Sequence, residues 1–282
     1  MSPSASISCV NVLSRFTMRF QIFASGSSGN CCYVGSDTTH LLFDVGISRK
    51  RTQEDLQNAG LALSELNGIF LTHEHADHIQ GLAMILKKYD IPVYATEGTI
   101  RALRRMEKYA GFARERFTAV KADEKITVGD ITVNPMRISH DAAEPVGYRI
   151  QYGAKKACVC TDLGTYTPYT QACLEDADVL LLEANHDVNM LQVGPYPYAL
   201  KQRILSDRGH LSNAASGYLL DSILNPHMKA IFLGHLSQEN NLPELAFETV
   251  RVEINAADDD YEADELPLYV AKRKEASPLV EW

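Results

Sequence analysis

Short apolar runs separated by polar and glycine-containing segments extend from about residue 18 to the end of the chain. Continuous or alternating apolar runs predict buried strands, whereas apolar residues spaced by three and four positions predict helices. The two types of element alternate, with connections too short for a separate domain, which indicates an α/β fold. The predicted strands cover residues 18–24, 31–34, 41–46, 68–72, 91–95, 131–138, 147–151, 155–161, 178–183, 228–233 and 266–271.

Several residues mark where helices begin and end. Ser48 and Ser212 are suited to cap the first turn of a helix, and Gly60 is suited to the position just after one. Residues 1–17 fit no packed element, so we expect a disordered extension there, followed by a single domain over residues 18–282. The predicted helices cover residues 48–59, 79–89, 96–110, 198–207, 213–224 and 241–255.

The segment Thr72–His78 has the pattern H-x-H-x-D-H and directly follows a short apolar run. If the strand continues through it, His73 and His75 point to the same side, since side chains repeat every second residue. Asp77 and His78 then begin a helix and can face a second ion. A single histidine is usually a core or surface residue, but burying this whole cluster without a metal would leave several polar groups in need of partners.

Further residues of metal-binding type follow later strands. His140, Asp162 and His235 each stand at or just past the end of a predicted strand, where a side chain is placed to reach a ligand. His140 can complete a first site with His73 and His75. Imidazole and carboxylate ligands suit zinc, manganese or iron better than magnesium. The T-D-x-G sequence around Asp162 is also common where a strand enters a turn, so alone it is a weak signal.

The H-x-H-x-D-H segment resembles the signature of the metallo-β-lactamase fold superfamily, and the match extends from about Met18 to the C-terminus. The resemblance implies an αββα four-layer sandwich, with two mixed β-sheets packed face to face and helices outside. It also implies that Asp44 orients metal ligands by hydrogen bonds. The implied ligands are His73, His75 and His140 at one ion, Asp77, His78 and His235 at a second, and Asp162 at both.

The resemblance implies hydrolysis by two divalent metal ions, zinc or manganese, with iron also compatible. Such a pair lowers the pKa of a shared water, so a metal-bridging hydroxide attacks a phosphodiester. Paired glutamate and histidine loops similar to those of ribonuclease Z imply that Glu183 binds His210, raises its pKa and keeps it ready to assist the leaving group. The role of the neighbouring His186 stays open. The expected catalytic residues are Asp77, His210 and Glu183.

The segments A-S-G-S-S-G-N, T-D-L-G, E-A-N-H-D and G-H-L-S-N are similar to those of the bacterial YycJ/WalJ branch of small phosphodiesterases. That branch is associated with 5′ to 3′ exonuclease action on DNA, which makes DNA the expected substrate. The gap between Asp162 and His235 is too short for the large inserted domain of other nucleases in the superfamily. Two alternatives stay open: a hydrolase of a cyclic phosphodiester or thioester, and a metal-bound regulatory or scaffold protein.

Composition narrows the class of protein and its expected location in the cell. Hydrophobic residues make up 45% and charged residues 22% of the chain, as in ordinary soluble proteins. No apolar run approaches the roughly 20 residues that span a bilayer. The N-terminus lacks a secretory pattern, and the six cysteines form no C-x-x-C pair, as expected for reduced thiols. We therefore expect a cytoplasmic protein without a membrane partner; its oligomeric state stays open.

The net charge of −9 argues against broad electrostatic affinity for nucleic acid. Any polyanion must then be held locally, by metals and a few basic side chains. The densest basic stretch lies on and after the helix predicted over residues 96–110, and it includes Arg101, Arg104, Arg105 and Arg114. Arginines on one helix are usually a solvated face, but this stretch is also the first candidate for contact with a phosphate backbone.

Overall fold

The structure is a computed structural model that describes residues 17–257 and 261–282. Apart from Thr17, the extension expected over residues 1–17 lies outside the described residues. None of the described helices combines the length and the apolar character needed to cross a bilayer.

The strands of the described residues are β1 (Arg19–Ala24), β2 (Cys31–Gly35), β3 (His40–Phe43), β4 (Gly68–Phe70), β5 (Val93–Thr96), β6 (Phe117–Val120), β7 (Ile126–Val128), β8 (Ile131–Arg137), β9 (Val146–Tyr152), β10 (Lys155–Cys160), β11 (Val179–Glu183), β12 (Ala230–Gly234), β13 (Leu268–Val270) and β14 (Val280–Glu281). The α-helices are α1 (Arg49–Asn58), α2 (Ala76–Ile79), α3 (Leu82–Leu86), α4 (Glu97–Arg104), α5 (Glu107–Ala110), α6 (Pro168–Leu174), α7 (Val188–Val193), α8 (Tyr198–Ile204), α9 (Asn213–Asp221) and α10 (Pro243–Ala256).

These strands form two seven-stranded sheets, with the orders β14-β1-β2-β3-β4-β5-β6 and β13-β12-β11-β10-β9-β8-β7. Both sheets are mixed. In the first, β3 to β6 run parallel, while β14, β1, β2 and β3 pair antiparallel. In the second, β10 to β13 run parallel and β7 to β10 pair antiparallel. Each sheet therefore has a parallel half whose carboxyl ends lie at one edge.

Alternation along the strands separates the apolar side chains into three layers. Successive side chains of a strand point to opposite faces, so a fully apolar strand is buried on both. In β3, Leu41 and Phe43 pack between the two sheets, whereas Leu42 packs under the helices of the first sheet. In β10, Val159 packs between the sheets, whereas Cys158 packs under the helices of the second. Helices thus cover both outer faces, and the expected αββα sandwich with two mixed sheets is confirmed.

Aromatic rings pack between the two sheets close to the start of the H-x-H-x-D-H segment. Phe70 of β4 lies with its ring centroid 5.3 Å from that of Phe43 and 5.5 Å from that of Tyr148, which belongs to the opposite sheet. The Tyr148 hydroxyl donates a hydrogen bond to the Leu71 carbonyl oxygen at 2.5 Å. This contact holds the second sheet to the residue just before Thr72, so the packing fixes where the H-x-H-x-D-H segment begins.

Two predicted helices are interrupted. The helix expected over residues 79–89 is the short α2 followed by α3, because the Gly81 N–H bonds to the Val45 carbonyl and a Cβ at Gly81 would lie 2.1 Å from the Ile47 carbonyl oxygen. The helix expected over residues 96–110 is α4 and α5, separated at Met106, whose ψ of 127° is extended. The caps expected at Ser48 and Ser212 are confirmed, as is Gly60, which has a φ of 80°.

We predict that Phe70→Ala lowers the free energy of unfolding by about 3–5 kcal/mol, because it leaves a cavity among rings of both sheets. Urea unfolding followed by circular dichroism measures the change. The matched control is Tyr198→Ala, which removes an aromatic ring that is 76% exposed and should change stability by about 0.5 kcal/mol or less. Similar losses in both variants would contradict the inter-sheet packing described above.

Candidate metal centre and active site

Strand ends carry the polar residues of the site. Asp44, Asp162 and His235 follow β3, β10 and β12, and all three are buried. Their φ angles are 59°, 60° and 53°, in the left-handed region that residues other than glycine adopt only at a cost of about 1–3 kcal/mol. Three such conformations just after strands indicate that the surrounding structure imposes the position of these side chains.

The H-x-H-x-D-H segment is a loop and not the end of a strand. β4 ends at Phe70, so the expectation that strand alternation places His73 and His75 side by side is wrong. The two rings nevertheless lie 4.5 Å apart, nearly perpendicular to each other. Asp77 and His78 lie in the first turn of α2, as expected. The loop conformation, set by hydrogen bonds to neighbouring segments, brings the histidines together.

All seven residues expected as metal ligands converge. Asp162 lies between the two expected groups of ligands: its Oδ1 is 3.2 Å from His235 Nε2 and 3.6 Å from His140 Nε2, and its Oδ2 is 3.2 Å from His78 Nε2. Donor atoms within 4.8 Å of one another form four sets that could each hold a metal ion. Three consist only of the seven expected ligands: His73, His75 and His140; His73, His78 and Asp162; and Asp77, His78 and His235. The fourth combines two of those ligands with the neighbouring pair and is Asp162, Glu183, His210 and His235.

Hydrogen bonds on the outer side fix the orientation of four histidine rings. His78 Nδ1 is 2.7 Å from Asp44 Oδ2, and His235 Nδ1 is 3.1 Å from Asn30 Oδ1. His73 and His140 are held likewise through Nδ1, by the Thr72 hydroxyl at 3.0 Å and the Gly209 carbonyl at 3.1 Å. With Nδ1 engaged on the outer side, Nε2 is the nitrogen that each ring presents to the centre, and it is the atom through which such a ring can bind a metal ion.

Two central atoms have no hydrogen-bond partner among the described residues: His73 Nε2 and Asp162 Oδ2. Burial lowers the pKa of His73 well below its usual value, so the ring is neutral. Burial opposes the charge of Asp162, but the surrounding histidines, His235 foremost, lower its pKa well below the usual range. A buried lone pair beside a buried carboxylate is a costly arrangement that a cation relieves, so these residues fit a metal centre.

His210 and Glu183 form a hydrogen-bonded pair beside this cluster. His210 Nδ1 is 2.7 Å from Glu183 Oε1, while Glu183 Oε2 accepts from the Leu163 and Leu211 N–H groups at 2.8 and 3.1 Å. Burial disfavours the charged ring, but the Glu183 carboxylate outweighs it and raises the pKa of His210 to about 9. The His210 ring also stacks on that of His235, with centroids 5.3 Å apart.

A cavity of about 170 Å³ opens next to His210. Its polar lining includes Asn185, whose side-chain amide donates to the His235 carbonyl, and the side chain of Tyr196. An ion pair between Arg203 and Asp141 stands on one side. The cavity gives a small part of a substrate direct access to His210.

Some residues of the site were assigned no role from sequence. Asn30 contacts both Asp77 and His235 by side-chain hydrogen bonds, and the Ser25 hydroxyl accepts from the His235 N–H at 2.8 Å. Both residues belong to the A-S-G-S-S-G-N segment, whose similarity to related phosphodiesterases is visible in the sequence but gives neither residue a task. His186, whose role the sequence leaves open, is 1% exposed, and burial lowers its pKa to about 4.

Comparisons with known proteins agree with this geometry. Residues 39–228 match the family model of the β-lactamase superfamily domain. The chain is 41% identical to exodeoxyribonuclease YycJ of Bacillus anthracis over 81% of this chain and 86% of that protein. It is 36% identical to exodeoxyribonuclease WalJ of Streptococcus pneumoniae over 95% of this chain and 100% of that protein.

A solved structure shares the whole fold. The metallo-β-lactamase fold protein YhfI from Bacillus subtilis superposes with a TM-score of 0.67 at 14% identity, over 95% of this chain and 100% of that one. At this identity the likeness concerns the fold alone. The match to the superfamily model and the two relatives together show that this chain belongs to the β-lactamase superfamily and is a homologue of the YycJ and WalJ exodeoxyribonucleases.

Proposed function

We propose that this protein is a metal-dependent exodeoxyribonuclease that uses two divalent cations to cleave phosphodiester bonds of DNA in the 5′ to 3′ direction. The observation that carries the proposal is the buried Asp162 carboxylate between two groups of histidines, with an unpartnered oxygen. DNA as substrate is supported by homology to two exodeoxyribonucleases over most of the chain. A cytoplasmic location follows as part of the proposal, since DNA is the substrate.

The proposed ligands divide around Asp162, which serves both cations. One support is that outer hydrogen bonds orient the rings of His78 and His235 so that their Nε2 atoms face Asp162. Another is that Nε2 of the buried His73 has no hydrogen-bond partner among the described residues. Imidazole and carboxylate donors favour zinc or manganese, with iron also compatible. The first cation is assigned to His73, His75 and His140, and the second to Asp77, His78 and His235.

When bound, the two cations lower the pKa of a water molecule and offset negative charge on the phosphate. Asp77 is the most exposed of the ligands expected at the second ion, because its side chain is 22% exposed while those of His78 and His235 are 0% and 2% exposed. We therefore assign Asp77 a second task, which is to accept a hydrogen bond from the attacking water. That bond orients the water for attack and assists loss of its proton.

His210 is the proposed proton donor to the leaving oxygen. Glu183 occupies Nδ1 of this ring, so Nε2 is the nitrogen that can face a leaving group in the adjoining cavity. The raised pKa keeps the ring protonated at neutral pH, and the N–H donors of Leu163 and Leu211 hold the glutamate in place. Glu183 is therefore a positioning residue that acts through His210.

We predict that Asp162→Asn loses bound metal and lowers turnover of bis(p-nitrophenyl) phosphate at least about 100-fold, since a neutral amide cannot serve two cations. Asparagine tolerates the left-handed backbone at this position. Metal content by inductively coupled plasma mass spectrometry and p-nitrophenol release are the measurements. The control, Asp176→Asn, changes an exposed aspartate that also has a positive φ, 57°. Full metal content and full activity in Asp162→Asn would contradict the proposal that Asp162 serves two cations.

We predict that His210→Ala keeps its metal but cleaves DNA about 10²–10⁴-fold more slowly, the range expected when general acid catalysis is lost. Turnover of bis(p-nitrophenyl) phosphate should fall by a much smaller factor, because p-nitrophenolate leaves without a proton. His227→Ala, which removes an exposed histidine, is the control. An equal loss on the two substrates would remove the proton-donor role.

We predict that the enzyme releases labelled mononucleotide early from duplex DNA labelled at the 5′ end, and late from DNA labelled at the 3′ end. Polyacrylamide gels of time points with Mn²⁺ and with Zn²⁺ follow the products. A circular duplex without ends is the control and should stay intact. Early loss of the 3′ label, or cleavage of the circle at a comparable rate, would contradict 5′ to 3′ exonuclease action.

A further inference from the structure

We propose that a groove lined by Arg101, Arg104 and Arg114, here called the arginine groove, binds the phosphodiester backbone of DNA away from the metal centre. The inference rests on the proposed function and adds to it a second contact with the same substrate. The metal ligands and the His210 cavity engage the scissile bond. The arginine groove lies on another part of the first sheet, at α4 and the edge strand β6.

The groove has a volume of about 360 Å³. Arg104 lies over the Phe117 ring, with its guanidinium carbon 5.6 Å from the ring centroid, and its NH2 group is 3.5 Å from the Arg114 carbonyl oxygen. Three arginines and one carboxylate, that of Glu97, line it, so the groove is locally cationic in a protein of net charge −9. Ile100 and Ala119 complete the lining.

The three arginines form no ion pair, whereas six other arginines of the described residues do. Arg19, Arg137 and Arg251 each form an ion pair with a neighbouring carboxylate. Within the part of the chain that the structure describes, no carboxylate lies within ion-pairing distance of the arginines of the groove. Surface arginines without an acidic partner keep their donors for an external anion, and a guanidinium matches the oxygens of a phosphate with two parallel hydrogen bonds.

The groove is connected to the rim of the metal centre. Helix α4 begins after Thr96, whose hydroxyl donates to the Glu144 carbonyl at 2.7 Å, and the Gly98 N–H donates to the Glu144 carboxylate at 2.6 Å. Glu144 belongs to the loop that follows His140, and in that loop the Ala143 N–H donates to Glu74 of the H-x-H-x-D-H segment at 2.9 Å. Loop and helix thus form one hydrogen-bonded path from the metal centre to the groove.

Helix geometry gives the spacing. From Thr96 to Arg101 and Arg104 the chain rises about 8 and 12 Å along α4, at about 1.5 Å per residue. In one strand of B-DNA, phosphates repeat about every 3.4 Å along the axis. Measured from the start of α4, these rises correspond to about two and about four phosphate repeats, so we place the two arginines on phosphates beyond the bond that is cut. A concave groove accommodates a line of phosphates better than a flat layer of lipid headgroups, which favours DNA over a membrane surface.

The test measures DNA binding as a function of salt for the wild-type holoprotein and a triple variant, Arg101→Gln, Arg104→Gln and Arg114→Gln. The probe is a fluorescent 30-base-pair duplex closed at both ends by hairpin loops, so that an exonuclease finds no end, and the readout is anisotropy. Three lost phosphate contacts should make the slope of log K against log salt shallower by about 2 to 3. The Kd should rise at least about tenfold at low salt.

Two further variants separate local from general effects of charge. The same three arginines changed to lysine keep their charges and should retain most of the salt slope. Changing Arg19, Arg137 and Arg251 to glutamine removes the same total charge elsewhere and should leave the slope near that of the wild type. Turnover of bis(p-nitrophenyl) phosphate, which is too small to span from the metal centre to the groove, checks that each variant is folded.

Two results of the salt series would overturn the proposal that the arginine groove binds DNA: an unchanged salt slope in the glutamine triple variant, or an equal change of slope in the control triple variant. The glutamine triple variant is also tested for binding to phosphatidylserine vesicles. If it loses vesicle binding while its DNA binding stays intact, the groove binds a membrane surface and the proposal is wrong. A failure of the proposed function looks different. In that case the wild-type protein would not degrade DNA with free ends, whereas binding to the closed duplex would still report on the groove.

Discussion

The site depends on the burial of one negative charge. Asp162 is almost fully enclosed, and its carboxylate oxygens lie close to Nε2 of His78, His140 and His235. An isolated carboxylate at such a position costs several kcal/mol, so the fold holds it only with positive charge nearby. The surrounding histidines supply part of this positive charge, and the proposed pair of cations supplies more of it. The same burial strengthens every electrostatic interaction in the site.

Topology explains why distant residues meet. The parallel halves of the two sheets end at one edge, where Asp44, Asp162 and His235 follow β3, β10 and β12. Each turns sharply in the left-handed region at the end of its strand. Aromatic packing between the sheets, including the Tyr148 contact with Leu71, fixes the position of one sheet relative to the other and so the position of these strand ends. The αββα core therefore sets the geometry of the metal centre, while loops carry most of its ligands.

The fold and the residues of the site could largely be predicted from sequence, but not the path of the chain between them. The apolar strands are continuous because they are buried on both faces, so they are easy to recognise. The break at Gly81 depends on its contact with the Ile47 carbonyl, a tertiary contact that periodicity does not contain. Strand β14 has two residues and pairs with β1 across the length of the chain, so no local pattern marks it.

The residues of the site likewise divide into those that the sequence identifies and those that only the folded structure reveals. Residue types with strong chemical preferences, such as the histidines of H-x-H-x-D-H, are recognisable because few other roles use them at that spacing. The supporting contacts of Asn30 and Thr72 use residues that are common in turns and strands, so their roles emerge only from the hydrogen bonds in the folded protein. The burial of His186 could not be predicted either, because burial in a loop leaves no periodic signal in the sequence.

Anomalous diffraction at the metal absorption edge, from crystals of the protein grown with its native metal, tests the central claim most directly. The account predicts two peaks on opposite sides of the Asp162 carboxylate, one against His73, His75 and His140 and the other against Asp77, His78 and His235. No peak at Asp162, or a metal bound only at other residues, would contradict it.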